Sequence, residues 1–230
     1  MEAHKSSDLN FGALKTRELE SLRESLSISG DSTKSSVLGM NLLRTGVPAL
    51  DEALEGGFAS GSLIELVGKQ SSGVTSLAAS LAASVTDAGG QVAWIDTENT
   101  LDPQSLLEVG IHTDRFLWIR PHRHQLKYSM RAAETILDGG GFTLLVVDLL
   151  GRGRSRQGLP LSVWMRLAKR LEHRNTTCVI MRNYQGVSSA QYRLKFLGEA
   201  LSQTKVELQK AKKRAVYSDS IVIPFAPPFD

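Results

Sequence analysis

Short, nearly unbroken apolar blocks alternate along this chain with longer stretches whose apolar residues recur at helical spacing. The blocks are Leu63–Val67 and residues 91–96, 142–148 and 177–181, and each predicts a buried strand. Between them, residues 74–86, 124–138 and 161–174 predict helices. The first ends at Gly89-Gly90 and the second at Gly139-Gly140-Gly141. Strands that are apolar on both faces and separated by helices predict an α/β fold with a mostly parallel central sheet flanked by helices. Two further β-like runs, 205–209 and 215–223, precede a proline-punctuated tail.

The first forty residues follow a different pattern. Phe11, Leu14, Leu19, Leu22 and Leu26 fall near one face of an amphipathic helix over residues 11–26. A Ser- and Gly-rich stretch, 27–40, then reads as a linker. Two parts are expected: an N-terminal helix with its linker (1–40) and a compact body (41–230). A lone helix of about 15 residues is marginal in water, so its leucine face must be buried. Assembly onto a neighbouring molecule and packing on its own body both satisfy that need.

Composition narrows the class of protein. An apolar share of 41% and a charged share of 22% suit a soluble globular domain. No stretch approaches the roughly 18 apolar residues of a membrane span, and the polar start lacks a secretory signal. The single cysteine, Cys178, excludes an internal disulfide, and a reducing, cytoplasmic location is expected. The net charge of +3 conceals a polarised distribution. Residues 46–110 carry one Lys/Arg against nine Asp/Glu, whereas residues 151–230 carry fifteen against five. The basic third suits an anion or an acidic partner, or is simply a solvated surface.

Candidate chemistry begins between the first strand and the first helix, at Gly68-Lys-Gln-Ser-Ser-Gly-Val-Thr-Ser76. A phosphate-binding loop of the G-x-x-x-x-G-K-[ST] type belongs at such a junction. Its glycines turn backbone N–H groups toward phosphate oxygens at a helix N-terminus. Gly68, Ser72, Gly73 and Thr75 suit that pattern, but Val74 stands at the lysine position. Losing one charge-assisted contact costs about 1.5–3 kcal/mol. The loss in catalysis is larger, because charge develops on the transferring group. Lys69 offers a cation one residue after the first glycine, a position that some P-loop ATPases use across a dimer. Those enzymes keep the standard lysine too, so a solvated Lys69 is the simpler expectation. The block ending at Asp148 places a carboxylate at the carboxyl end of a strand, where Mg²⁺ beside a phosphate loop is held.

From Thr45 to Pro103 these motifs resemble bacterial RecA almost without gaps. Thr45-Gly46 and Leu50-Asp51 match its entry motif, and the turn from Gly57 to Gly61 precedes the matching strand Leu63–Val67 with Gly68. Ser71-Ser72-Gly73 matches its loop, and Ile95-Asp96-Thr97-Glu98 with Leu101-Asp102-Pro103 matches the segment that carries its water-activating glutamate. The similarity weakens after Asp148 and resumes at Arg193-Leu194-Lys195-Phe196. The resemblance implies a RecA-like P-loop fold, with Glu98 in the place of the catalytic base and Asp148 in that of the Walker B carboxylate. Without the lysine, both are expected to be vestigial. No cofactor is then expected, and ATP with Mg²⁺ would bind weakly if at all. By sequence alone, Asp96, Asp102 and the five histidines form no convincing metal or catalytic set, and Trp94, Trp118 and Trp164 are expected in the core or half-buried.

The departures from RecA point to function. Tyr184 stands where RecA carries a glutamine that senses the γ-phosphate, and Gln185 comes one residue late. Both DNA-loop regions, 151–160 and 185–191, are short. The pattern of losses resembles the ImuA family, RecA-like accessory proteins of the bacterial mutasome. That resemblance implies a non-catalytic adaptor in damage-induced (SOS) mutagenesis and translesion synthesis. Its implied partners are RecA, an ImuB-like polymerase homologue, an error-prone polymerase and DNA. Two basic clusters suit a phosphate backbone, an acidic protein or solvent: Arg152, Arg154 and Arg156, and Lys210, Lys212, Lys213 and Arg214. A divergent DNA-dependent ATPase and a SulA-like division inhibitor are the alternatives.

Overall fold

A computed structural model describes residues 42–121, 126–151, 159–172, 174–198, 203–210 and 220–224 of the chain. The expected N-terminal helix, with Phe11, Leu14, Leu19, Leu22 and Leu26, lies outside these residues, as do its linker, Arg152, Arg154, Arg156, Lys212, Lys213, Arg214, and the Lys210 side chain.

The described body is an α/β fold around one mixed sheet. Its strands are β3 (Leu63–Val67), β4 (Val92–Asp96), β5 (Phe116–Ile119), β6 (Leu144–Asp148), β7 (Thr177–Arg182), β8 (Tyr192–Leu197), β9 (Gln203–Lys210) and β10 (Ile221–Pro224). They lie in the order β10-β9-β8-β3-β7-β6-β4-β5. The six strands from β8 to β5 run parallel, while β9 and β10 are antiparallel additions at one edge. A small hairpin-like pair, β1 (Leu42–Leu43) with β2 (Phe58–Ala59), brackets helix α1 (Pro48–Ala53). There the entry motif closes on itself: the Thr45 N–H and hydroxyl donate to Asp51 Oδ1 at 2.7 and 2.8 Å.

Alternation along each strand sends side chains to two separate cores. On one face, Leu144 and Val146 of β6 join Leu77, Ala78, Leu81 and Ala82 of helix α2 (Val74–Asp87), and helix α3 (Pro103–Glu108) adds Leu106. On the other, Leu145 and Val147 pack with Ala133 and Leu137 of helix α4 (Leu126–Gly139) and with Trp164, Leu167 and Leu171 of helix α5 (Leu161–Leu171). Both faces of the parallel strands are therefore apolar, which explains their unbroken sequence pattern. No helix among the described residues is long and apolar enough to cross a membrane.

Several details differ from the sequence expectation. Helix α5 stops at Leu171 rather than 174, because Glu172 turns extended (φ −55°, ψ 131°) and releases the chain toward β7. Arg174 instead donates to the Leu137 carbonyl near the end of α4. The expected start of α4 at residue 124 lies outside the described residues, and β6 begins at Leu144 rather than 142. Strands β1, β2, β5 and β8 and the short helices α1 and α3 (Pro103–Glu108) were not expected.

Candidate phosphate-loop site

The carboxyl end of β3 runs straight into the loop, and the Gly68 N–H donates to the Arg182 carbonyl of β7 at 3.0 Å. A Cβ on Gly68 would fall onto the Ser72 hydroxyl and stand 2.6 Å from Val74 Cγ2, so only glycine leaves the turn this tight. The Ser72 N–H and hydroxyl both return to the Lys69 carbonyl, at 3.2 and 2.7 Å. Gly73, at φ 93°, adopts the left-handed conformation that ends the loop and starts α2. The backbone thus forms a cradle at the positive end of a helix, where unpaired N–H groups favour an anion.

The side chains tell a different story. Val74 is buried against the core under Gly68, whereas Lys69 and Thr75 are exposed. The position that would bring a cation over the cradle holds methyl groups. The shape fits a phosphate and the charge does not.

The carboxylates implied by the resemblance do come together. Asp148 ends β6 and is the register partner of Asp96, which ends β4. Burial pushes the Asp148 carboxyl up to about 7, and the nearby Asp96 and Glu98 carboxylates push the same way, against the Leu150 N–H that donates to it at 2.8 Å. Asp96 was set aside in the sequence, yet it is the most constrained of the three. It accepts from the Thr100 and Leu101 N–H groups, both at 3.0 Å, and from the Trp118 indole at 3.3 Å. Glu98 lies against Gly151, where an added Cβ would meet its Oε1 at 3.1 Å. No Lys or Arg among the described residues forms an ion pair with these three. Asp102 stands apart: it caps α3 by accepting from the Ser105 hydroxyl and N–H, which hold its carboxyl below the ordinary range. Trp94 and Trp164 are buried and Trp118 is half-buried, as expected.

Beside this acidic edge lies a basic one that sequence reasoning missed. Glu65 of β3 is fully buried and pairs with Arg193 of β8, while also accepting from the Gly186 and Val187 N–H groups at 2.7 and 2.9 Å. Arg182 ends β7 between the rings of Trp164 and Tyr184, at 5.3 and 4.6 Å from their centroids. Tyr184 therefore covers an arginine. Asn183 ties the edge to the neighbouring loop by donating to the Gly151 carbonyl at 3.4 Å.

A parallel sheet with a glycine cradle between its central strand and an Ala-rich helix, and carboxylates at the ends of neighbouring strands, defines a P-loop-type α/β domain. Within that class the family is specific. Residues 12–153 match the RecA N-terminal domain, and the chain belongs to that family. It is 36% identical over 110 residues to Protein RecA of Acidothermus cellulolyticus, a stretch covering 47% of this chain and 31% of that relative. It is 34% identical over 120 residues to Protein RecA of Limosilactobacillus reuteri, covering 52% and 32%. The matched stretch spans about a third of the length of these curated relatives.

Proposed function

We propose that this RecA-family chain is a non-catalytic accessory protein of DNA-damage tolerance, of the ImuA kind. It serves as an adaptor between RecA or DNA and translesion polymerase subunits. The observation that carries this reading is the buried Val74 in an otherwise well-formed phosphate cradle. Such a loop is maintained as scaffold, with its helix and glycines, while the charge needed for hydrolysis is gone. The basic residues of the carboxyl-terminal third supply the contact with DNA or with an acidic partner surface.

Two measurements test the reading. ATP hydrolysis with and without single-stranded DNA is expected to stay at background, and pull-downs are expected to retain an ImuB-like polymerase homologue. DNA-stimulated hydrolysis that vanishes in Glu98→Gln would overturn the first half. A divergent ATPase is the second reading, favoured by the gathering of Asp96, Glu98 and Asp148 at one edge. Those carboxylates would hold the divalent cation that accompanies a nucleotide.

A further inference from the structure

Helix α5 turns Trp164, Leu167 and Leu171 into the core, as an amphipathic helix should. Its outer side is not uniformly polar. Leu161 and Met165, one helical turn apart, are 56% and 57% exposed, the two most exposed large apolar side chains among the described residues. Lys169 follows at the same spacing, so the three form one row along the helix. A scattered leucine on a surface needs no account, but adjoining apolar residues rimmed by charge have the form of an interaction site.

The rim is basic. Arg166 and Arg170 occupy the next row of α5 and reach toward α4. Arg166 Nε stands 3.3 Å from Glu134, while Arg170 stands 3.0 Å from Asp138 and 3.7 Å from Glu134. These pairs hold the helices side by side, with axes roughly 8–10 Å apart. Both helices lead from the carboxyl end of one parallel strand to the amino end of the next, so they run in the same direction. Lys127 and Arg131 precede Glu134 on the same face of α4 and therefore lie level with the first turns of α5, where Leu161 and Met165 stand. Lys127, Arg131 and Lys169 are exposed and form no ion pair among the described residues, although Lys127 lies over the Tyr128 ring. Glu134 and Asp138 are taken up by the two arginines, and the one other carboxylate, Glu172, comes just past the end of α5.

This combination selects among partners. A phosphate backbone gains nothing from Leu161 and Met165, no aromatic residue lies in their row for a base to stack on, and Arg166 and Arg170 are already neutralised. A partner helix with one apolar side covers the row, and carboxylates on its flanks reach Lys169 at one end and Lys127 and Arg131 across the groove.

We infer that the outer surface of α4 and α5, centred on Leu161 and Met165, is a docking site for an acidic amphipathic helix of a partner protein. The apolar row supplies the anchors, and the three unpaired cations set charge complementarity and orientation. The surface is remote from the phosphate cradle, because α2 packs on the opposite face of the sheet. The inference rests on this surface and not on the adaptor reading, since a chain that hydrolyses ATP could carry the same face.

The test titrates the full chain with a synthetic peptide of about 18 residues, long enough to form a helix, with leucines along one side and glutamates on both flanks. Binding is followed by calorimetry, and the peptide is expected to gain helical circular dichroism on binding. Leu161→Ser combined with Met165→Ser should weaken binding roughly tenfold or more, with a melting temperature close to that of wild type because both side chains are exposed. Arg131→Glu combined with Lys169→Glu should weaken binding to a similar extent and flatten its salt dependence. A peptide of the same composition with its leucines dispersed around the helix should bind more weakly. The inference is overturned if wild-type protein does not bind the amphipathic peptide, or if the serine variant binds it as well as wild type. Equal binding of the dispersed peptide, or tighter binding of a thymidine oligonucleotide that depends on Arg131 and Lys169, would replace the helix by a merely charged ligand. A serine variant that melts far below wild type, or that turns a self-associated protein into monomers, would show that the chain itself covers the row.

Discussion

Asp148 and Arg182 end neighbouring strands of one sheet, and both are buried with no ion-pair partner among the described residues. Asp148 sits beside two other carboxylates, and burial raises its carboxyl to about 7, so a proton can neutralise it near physiological pH. An arginine cannot shed its proton in a protein. Arg182 is held instead between two aromatic faces, whose quadrupoles attract the cation without accepting a hydrogen bond. One strand further along, Glu65 and Arg193 show the ordinary solution, a direct pair. The same edge therefore holds three treatments of buried charge: protonation, ring stacking and pairing. The acidic side of the site can thus be relieved by a proton, the basic side only by its neighbours.

The comparison is broken most forcefully at the pair. Glu65→Ala is expected to destabilise the protein by about 3–5 kcal/mol in denaturant unfolding, because it leaves the half-buried Arg193 unpaired and frees the Gly186 and Val187 N–H groups. A loss below about 1 kcal/mol would mean that this edge is wetter than its burial implies. Asp148 comes next. Its folded carboxyl lies above the ordinary 3.8, so between about 4 and 7 the folded state binds more protons than the unfolded. Stability from this group is then full below the unfolded value and lost as pH rises through 7. From pH 5 to pH 8 the loss should reach about 2–3 kcal/mol. Asp148→Asn should flatten that part of the curve. A slope that survives the substitution would assign it to other groups.

Supplying the missing cation tests the acidic side directly. Val74→Lys is expected to raise nucleotide affinity roughly ten- to a hundredfold, since the cradle's glycines and Thr75 already suit a phosphate. Calorimetry at millimolar nucleotide checks this. No gain would mean that the space under Gly68, now filled by Val74, does not admit a lysine without closing the loop.

Much of this architecture was legible in the chain. Strands β3, β4, β6 and β7 are buried on both faces, so their sequences carry a signal that needs no partner to interpret. Strand β8 carries a different strand signal, Arg193 and Lys195 alternating with apolar residues, rather than the unbroken apolar block that marks β3, β4, β6 and β7. Strand β5 is a four-residue edge after a short turn. The loop glycines, Val74 and Asp148 could be read because local spacing defines them. Glu65 and Arg193 stand 128 residues apart, and Trp164 reaches Arg182 from a different helix. Nothing in local spacing marks such pairs. Asp96 was passed over for the same reason: its partners are Trp118 and backbone groups that only the fold brings near.

The smallest expected effect bears on the ring that covers Arg182. If aromatic faces are what make this buried cation tolerable, Tyr184→Leu should cost about 1 kcal/mol, the middle of the range for a partly desolvated cation–π contact. Tyr184→Phe keeps the face and loses only the hydroxyl, so its stability should match wild type. Leucine preserves apolar contact while removing the quadrupole, which separates the electrostatic contribution from plain burial. The effect should also vanish in an Arg182→Met background, where there is no cation to stabilise, and the double-mutant cycle isolates that coupling. Equal losses for Tyr184→Leu in both backgrounds would show that Tyr184 contributes packing alone. Arg182 would then be a buried charge that Tyr184 does not relieve, and stacking on that ring would drop out of the contrast with the protonated Asp148.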